Sequence, residues 1–327
     1  MPAITFEGKT YECNPGETVL DELTRHGVLL PSSCRSGSCQ TCMMRVVEET
    51  PPEESQQGLK DTLKVQGYFL PCICRPESDL EISMASVSKK YTAVVQSKSW
   101  MNESIVRLRL SCEGFNYIPG QFINLVRPED GLVRSYSLAS VVEDDVLELH
   151  VKKVPEGAMS TWICDSLEAG TEVEFFGPAG DCFYVPGNSD QNLILAGTGT
   201  GLAPLYGIIR HALSFGHSGR IFLFHGSLAA EGLYMLDELR ELASRHVNVG
   251  YIPCVLYGDP PQDGMRGSID DLVVQGAREY IYKSRAFLCG DPPMVEAMRK
   301  KCFLAGVSSQ DIHADAFTFA PNSSGNE

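Results

Sequence analysis

Cys34, Cys39 and Cys42 stand in the run CRSGSCQTC, and Cys72 follows after twenty-nine intervening residues. Three thiols at C-x4-C-x2-C with a distant fourth match the ligand spacing of a two-iron, two-sulfur cluster. The loop chemistry suits that load. Four thiolates leave an oxidised cluster with a net charge of about −2, which backbone N–H donors and nearby cations must offset. Ser36, Gly37 and Ser38 are small enough for the backbone to curl towards the sulfides, and Arg35 adds a positive charge. Zinc is the competing occupant, but its ligands usually come as two close C-x2-C-like pairs. The fourth ligand stays open between Cys72 and Cys74, and the length of the gap favours Cys72.

Four further runs carry chemistry. In Arg134-Ser135-Tyr136-Ser137, the arginine can pair with a phosphate, the tyrosine can stack on a flat ring, and Ser137 can hydrogen-bond it. Gly157-Ala158-Met159-Ser160 opens a helix-like segment, whose first amides suit a pyrophosphate. Gly197-Thr198-Gly199-Thr200-Gly201 follows the strand-like NLILA and opens a helix; Leu202 breaks G-x-G-x-x-G, yet the context still suits a dinucleotide. Cys289-Gly290-Asp291 closes the strand-like AFL at a carboxyl end, where open α/β sheets bind ligands. The alternative for Cys289 is a buried core thiol. None of the seven histidines has metal or triad spacing.

The elements that must position these runs fall into three blocks. Residues 1–84 read as a hairpin turning at Gly8-Lys9, a helix over 17–26 stopped by Gly27, the cysteine loop, and strands at MMRVVEE and DLEIS. Residues 85–90 read as a linker too short to separate its neighbours by more than about 25 Å. At that tether length any electron traffic between domains is intramolecular. Six strand patterns over 91–190, with one helix-like interruption at STWICDSL, predict an antiparallel barrel. Over 191–319 strands alternate with helices, the pattern of a doubly wound parallel sheet. Residues 320–327 read as a disordered tail.

Composition limits the function. A chain of 327 residues, 43% hydrophobic and 21% charged, is ordinary for a multidomain soluble protein. The absence of a basic, apolar leader pattern and of a membrane-length apolar run leads to the expectation of a cytoplasmic protein. In that compartment the twelve cysteines should be reduced, and Cys112, Cys164, Cys182, Cys254 and Cys302 read as small buried hydrophobes. The net charge of −15 argues against nucleic acid or an anionic membrane as partner and suits a basic patch on another protein.

Residues 1–84 resemble a plant-type ferredoxin domain, with Gln40 where that family usually has glycine and Pro76 in its usual place after Cys72. RSYS, GAMS, GPAG, GTGTGLAP and CGDPPM resemble the motifs of the ferredoxin–NADP reductase superfamily. The three blocks together resemble the reductase components of bacterial multicomponent oxygenases. The resemblance implies a multidomain α+β, β-barrel and α/β chain: a β-grasp ferredoxin domain, an antiparallel FAD-binding barrel and a doubly wound NAD-binding domain. It implies a 2Fe-2S cluster, FAD and NADH as cofactors, with Arg134 on the pyrophosphate, Tyr136 on the isoalloxazine and Ser137 near its N5. Cys289 is then expected beside the nicotinamide, Asp315 at the flavin's reactive edge and Phe317 over the flavin. Glu231 without nearby Lys or Arg after RIFLFHG points to NADH, although many relatives carry arginine where Leu228 stands. The implied activity is hydride uptake from NADH and single-electron delivery to an oxygenase or a separate ferredoxin, by a monomer. Two alternatives stand beside it: a deoxysugar-pathway reductase serving a dehydratase, and a zinc-binding interaction module on a degenerate reductase.

Overall fold

Turn chemistry corrects the first sequence expectation. The computed structural model describes residues 2–32, 34–37, 39–84 and 89–318. In it β1 (Ala3–Phe6) pairs with β2 (Lys9–Glu12), Phe6 opposite Lys9, so the turn is Glu7-Gly8 rather than Gly8-Lys9. Both turn residues take positive φ, 50° and 74°, as a two-residue hairpin loop demands, and Lys9 already belongs to the ladder. Next, α1 (Val19–Arg25) is capped by the Thr18 side chain, which accepts from the Asp21 N–H, and Gly27 ends it at φ 79°. Val19, Leu20 and Leu23, whose spacing marks the helix in sequence, form its buried face. β3 (Met44–Val46), the short α2 (Asp61–Lys64), β4 (Tyr68–Phe69) and β5 (Leu80–Met84) complete the unit. The sheet order is β2-β1-β5-β3-β4, with β1 and β5 parallel, which is the expected β-grasp.

The chain divides into two compact units, residues 1–88 and 89–327. The expected linker ends early, because β6 (Lys89–Trp100) already includes Lys89 and Lys90; 85–88 and the expected tail at 320–327 lie outside the described residues. β7 (Ile105–Ser111), β8 (Phe122–Val126), β9 (Val133–Ser137), β10 (Leu147–Lys152), α3 (Ala158–Thr161) and β11 (Glu172–Ala179) follow. Their antiparallel order is β10-β7-β6-β11-β8-β9, and a bridge from Leu138 to Leu149 joins the two ends into a barrel. On β7 the strand period buries Val106, Leu108 and Leu110 in the barrel core and turns Arg107 and Arg109 outward.

Beyond the barrel come β12 (Leu193–Thr198), α4 (Leu202–Ser214), β13 (Ile221–Ser227), α5 (Leu236–Arg245), β14 (Val249–Val255) and β15 (Met265–Arg266). α6 (Ile269–Gly276), β16 (Arg285–Gly290), α7 (Pro292–Leu304) and β17 (Ile312–Ala316) close the fold. The all-parallel order β15-β14-β13-β12-β16-β17 reverses direction at β12, so the strand ends of β12 and β16 meet at a topological switch point. The two-residue β15 has no signal in the sequence. Among the described residues no helix is long and apolar enough to cross a membrane. Cys164, Cys182, Cys254 and Cys302 are buried as expected, whereas Cys112 is only half-buried.

Candidate functional site

The four cysteine ligands proposed from spacing form two pairs. Cys34 and Cys39 are exposed; the amide N–H groups of Ser36 and Cys39 point at Cys34 Sγ from 3.4 and 3.3 Å. Those donors, Ser36 first, draw the Cys34 thiol down to about 6, and contacts with Thr41 and Cys34 lower Cys39 as well. Cys42 and Cys72 are buried side by side among Leu20, Leu59 and Leu70, and burial pushes Cys42 up to about 11. A 2Fe-2S centre would need four thiolates, and two thiol pairs, one with amide donors already aimed at sulfur, fit it. Among the described residues no three metal-ligating side chains gather around one point.

Cys74 goes elsewhere. It is fully buried in the other core with Cys13, Phe69 and Leu80, with Ser55 as its side-chain partner, and burial pushes its thiol up to about 12. Between the two thiols, Ile73 packs onto the loop: a Cβ on Gly37 would lie 2.8 Å from its Cδ1, and Gly37 has φ 79°. Gln40 takes φ 58°, the conformation glycine adopts without strain, and its Nε2 donates to the Gly58 carbonyl at 3.3 Å. Arg35, expected to add positive charge near the thiols, pairs through Nη1 with Asp21 at 3.5 Å. Ser38 lies outside the described residues.

In the second unit, β9 sorts the four motif residues Arg134–Ser137 by the strand period. Arg134 and Tyr136 are half-buried on one face, and Tyr136 packs on the barrel core. On the other, Ser135 Oγ donates to Asn124 Oδ1 at 2.7 Å across the ladder, and Ser137 Oγ donates to Asp315 Oδ2 at 3.5 Å. Asp315 is the β17 ladder partner of Cys289 on β16. Burial, reinforced by Asp181 and opposed by Ser137, raises the Asp315 carboxyl to about 6. Phe317 is tied down by its N–H on the Gly290 carbonyl at 2.8 Å.

The glycine loop meets β16 at the switch point. A Cβ on Gly201 would collide with the Cys289 carbonyl, and one on Gly290 would sit 2.7 Å from Thr198 Oγ1. Thr198 Oγ1 also accepts from the Asp291 N–H at 3.2 Å, and Thr200 sits in the tight turn that precedes α4. Gly199 has φ 53° and open space where its Cβ would project, so this stretch presents bare backbone of the kind a dinucleotide phosphate needs. At the other turn Gly157 caps α3 and is crowded by Ser160 Oγ, which accepts from Val154 N–H and donates to the Gly157 carbonyl. The Met159 side chain is buried in the barrel core, so Met159 and Ser160 have only backbone amides to offer a ligand. Arg127, which carries no motif signal, reaches this turn through Nη1 on the Ala158 carbonyl at 3.1 Å.

Residues 4–77 match the 2Fe-2S iron-sulfur cluster binding domain, 89–184 the oxidoreductase FAD-binding domain and 195–300 the oxidoreductase NAD-binding domain. The chain is 35% identical to the aromatic O-demethylase reductase subunit of Amycolatopsis sp. (strain ATCC 39116 / 75iv2), over 97% of this chain and 98% of that one. It belongs to the 2Fe-2S flavoprotein reductases of oxygenase systems.

This reductase is also 31% identical to the reductase component of the Pseudomonas putida naphthalene 1,2-dioxygenase system, over 92% of its own length and 94% of the relative's. Its fold matches the crystal structure of Amycolatopsis cytochrome P450 reductase GcoB at a TM-score of 0.68 and 32% identity, covering 98% and 99% of the two chains. The reductase is therefore an NAD(P)H-dependent oxidoreductase with 2Fe-2S, FAD and NAD domains, and the zinc-module alternative falls with the cluster-domain match. Sequence reading missed Arg127, the Asp315 link to Ser137 and the contact of Cys182 Sγ with Cys289 Sγ at 3.7 Å. No local pattern marks any of them.

Proposed function

We propose that this reductase takes hydride from NADH in the cytoplasm and delivers single electrons to the terminal oxygenase of its system or to a separate ferredoxin. When bound, FAD accepts a hydride and releases electrons singly, and the 2Fe-2S cluster carries them one at a time. The observation that carries the reading is the convergence of Ser137, Asp315 and Cys289 beside the glycine loop, brought together from two lobes. Ser137 and Cys289 support hydride transfer by position, and Asp315 orients the Ser137 hydroxyl. Arg134, Ser135, Tyr136 and the 157–160 turn hold FAD; Gly197–Gly201, Gly290 and Asp291 hold the dinucleotide; Phe317 covers the flavin. Cys34, Cys39, Cys42 and Cys72 hold the cluster, the last because it, and not Cys74, lies beside Cys42.

NADH is favoured over NADPH by the turn after β13. Ala230–Gly232 folds back against Ser227, Leu228 is 67% exposed, and the acidic residue there is Glu231, which would repel a 2′-phosphate. The oxygenase role is favoured over the deoxysugar alternative because relatives at 30–35% identity carry the names of hydroxylase, demethylase, monooxygenase and dioxygenase systems. A monomer suffices, since every cofactor site lies within one chain. The acceptor is a protein with a basic docking face, to suit the net charge of −15. An anaerobic NADH titration, followed by visible absorbance and low-temperature EPR, tests the path. Bleaching of a flavin band together with a rhombic reduced-cluster signal is expected. Bleaching without that signal in iron-replete protein overturns the path.

A further inference from the structure

The contact between Cys182 and Cys289 has no part in that scheme. The two sulfurs are 3.7 Å apart, both residues are buried, and they lie 107 positions apart in the chain. Cys182 follows the last barrel strand, Cys289 is the penultimate residue of β16, and both sit in one apolar core with Ile105, Leu202 and Tyr184. Sulfurs in van der Waals contact need an approach of about 1.7 Å to become a disulfide. The Asp315 backbone N–H favours the Cys289 thiolate, while burial first, then Cys182 and the Asp315 carboxylate, hold the thiol protonated. The pair is therefore a dithiol at rest, and its oxidation is a slow response to sustained peroxide rather than a fast one.

We propose that hydrogen peroxide converts Cys182 and Cys289 to a disulfide, and that this bond shuts off hydride transfer in the reductase. In the first step Cys289 sulfur attacks one peroxide oxygen, the O–O bond breaks, and a sulfenic acid and water form. Cys182 sulfur then displaces hydroxide from the sulfenic sulfur, and its own proton completes a second water. The balance is two thiols and one peroxide giving one disulfide and two waters, with each sulfur losing one electron. Peroxide is what a reduced flavoprotein makes when dioxygen takes its electrons instead of the partner, so the bond accumulates, and the entry step closes, under prolonged uncoupled turnover. The inhibitory half rests on the placement of Cys289 at the nicotinamide; formation of the bond does not.

The test treats the holoenzyme with peroxide, quenches with catalase, alkylates free thiols, and maps non-reduced peptides by mass spectrometry. The NADH–ferricyanide rate, which draws on flavin and bypasses the cluster, is read before and after dithiothreitol. A peptide joining the Cys182 and Cys289 segments is expected, with a rate loss of about tenfold or more that dithiothreitol restores. Cys182→Ala, with Cys182→Ser as a second variant should the first fold poorly, keeps the basal rate and gives neither the cross-link nor a reversible loss. Absence of the joined peptide in wild-type protein whose exposed thiols are oxidised overturns the proposal, as does an equal reversible loss in Cys182→Ala. A cross-link with full activity overturns the switch and removes Cys289 from the nicotinamide site, whereas a missing cross-link leaves that placement standing.

Discussion

Two thiols one residue apart, Cys72 and Cys74, have opposite surroundings. Cys72 lies beside Cys42, while Cys74 is sealed in the sheet core against Phe69 and Leu80. Cys72→Ser should therefore abolish the cluster's EPR signal and iron content while NADH–ferricyanide activity persists. Cys74→Ser should keep the cluster and lower stability by about 1–2 kcal/mol, read by denaturant unfolding. Asp315 makes a pH prediction. Its carboxyl is raised from 3.8 to about 6, so the folded state binds the proton more tightly than the unfolded chain. Its stabilising contribution is complete below about 3.8 and is lost as pH rises through about 6, where the buried group ionises. Asp315→Asn should flatten that part of the stability–pH curve and remove any inflection near pH 6 in the rate of flavin reduction. At the coenzyme turn, Leu228→Arg should raise NADPH kcat/KM about tenfold by supplying a partner for the 2′-phosphate.

At the scale of elements, β10 joins the barrel to the nucleotide lobe. It is buried from Leu147 to Val151, including the polar Glu148 and His150, because its outer face meets the other lobe. His150 Nδ1 shares a hydrogen bond with Tyr234 OH at 3.0 Å, and Nε2 one with Glu148 Oε1 at 3.1 Å. Arg109 pairs with Glu148 at 2.8 Å and Arg107 at 3.3 Å. Burial alone would raise Glu148, but His150 and the arginines prevail and hold it at about 2. Its contribution to stability is thus present above about 4.5 and lost as pH falls through about 2. Glu148→Ala should cost about 3 kcal/mol in chemical denaturation, because it leaves the arginines facing a neutral side chain in a partly dry interface. Tyr234→Phe should cost only about 1 kcal/mol.

At the scale of the whole molecule, two units carry three cofactor domains in the order cluster, flavin, nicotinamide. Net charge acts here rather than at any residue. A chain at −15 that docks on a basic partner should reduce it with a rate constant that falls as salt rises, while NADH–ferricyanide turnover changes little. Stopped-flow reduction of the acceptor over a salt series measures this.

The cofactor set and the domain order could be read from the amino-acid sequence alone. A C-x4-C-x2-C loop, RSYS, a glycine turn after a strand and CGDPP each work through a few neighbouring residues, whose backbone constraints are local. The six barrel strands and the alternating nucleotide lobe were legible for the same reason, since side-chain period is local too. Other choices depend on register and packing. The hairpin turns at Glu7-Gly8 because the ladder pairs Phe6 with Lys9. Cys72 parts from Cys74 because the two lie in different cores. Ser137 meets Asp315 across 178 positions, and Cys182 meets Cys289 across 107, only because two lobes share one interface. Contacts at such separations are set by how sheets stack and which faces become dry, so only the tertiary structure decides them.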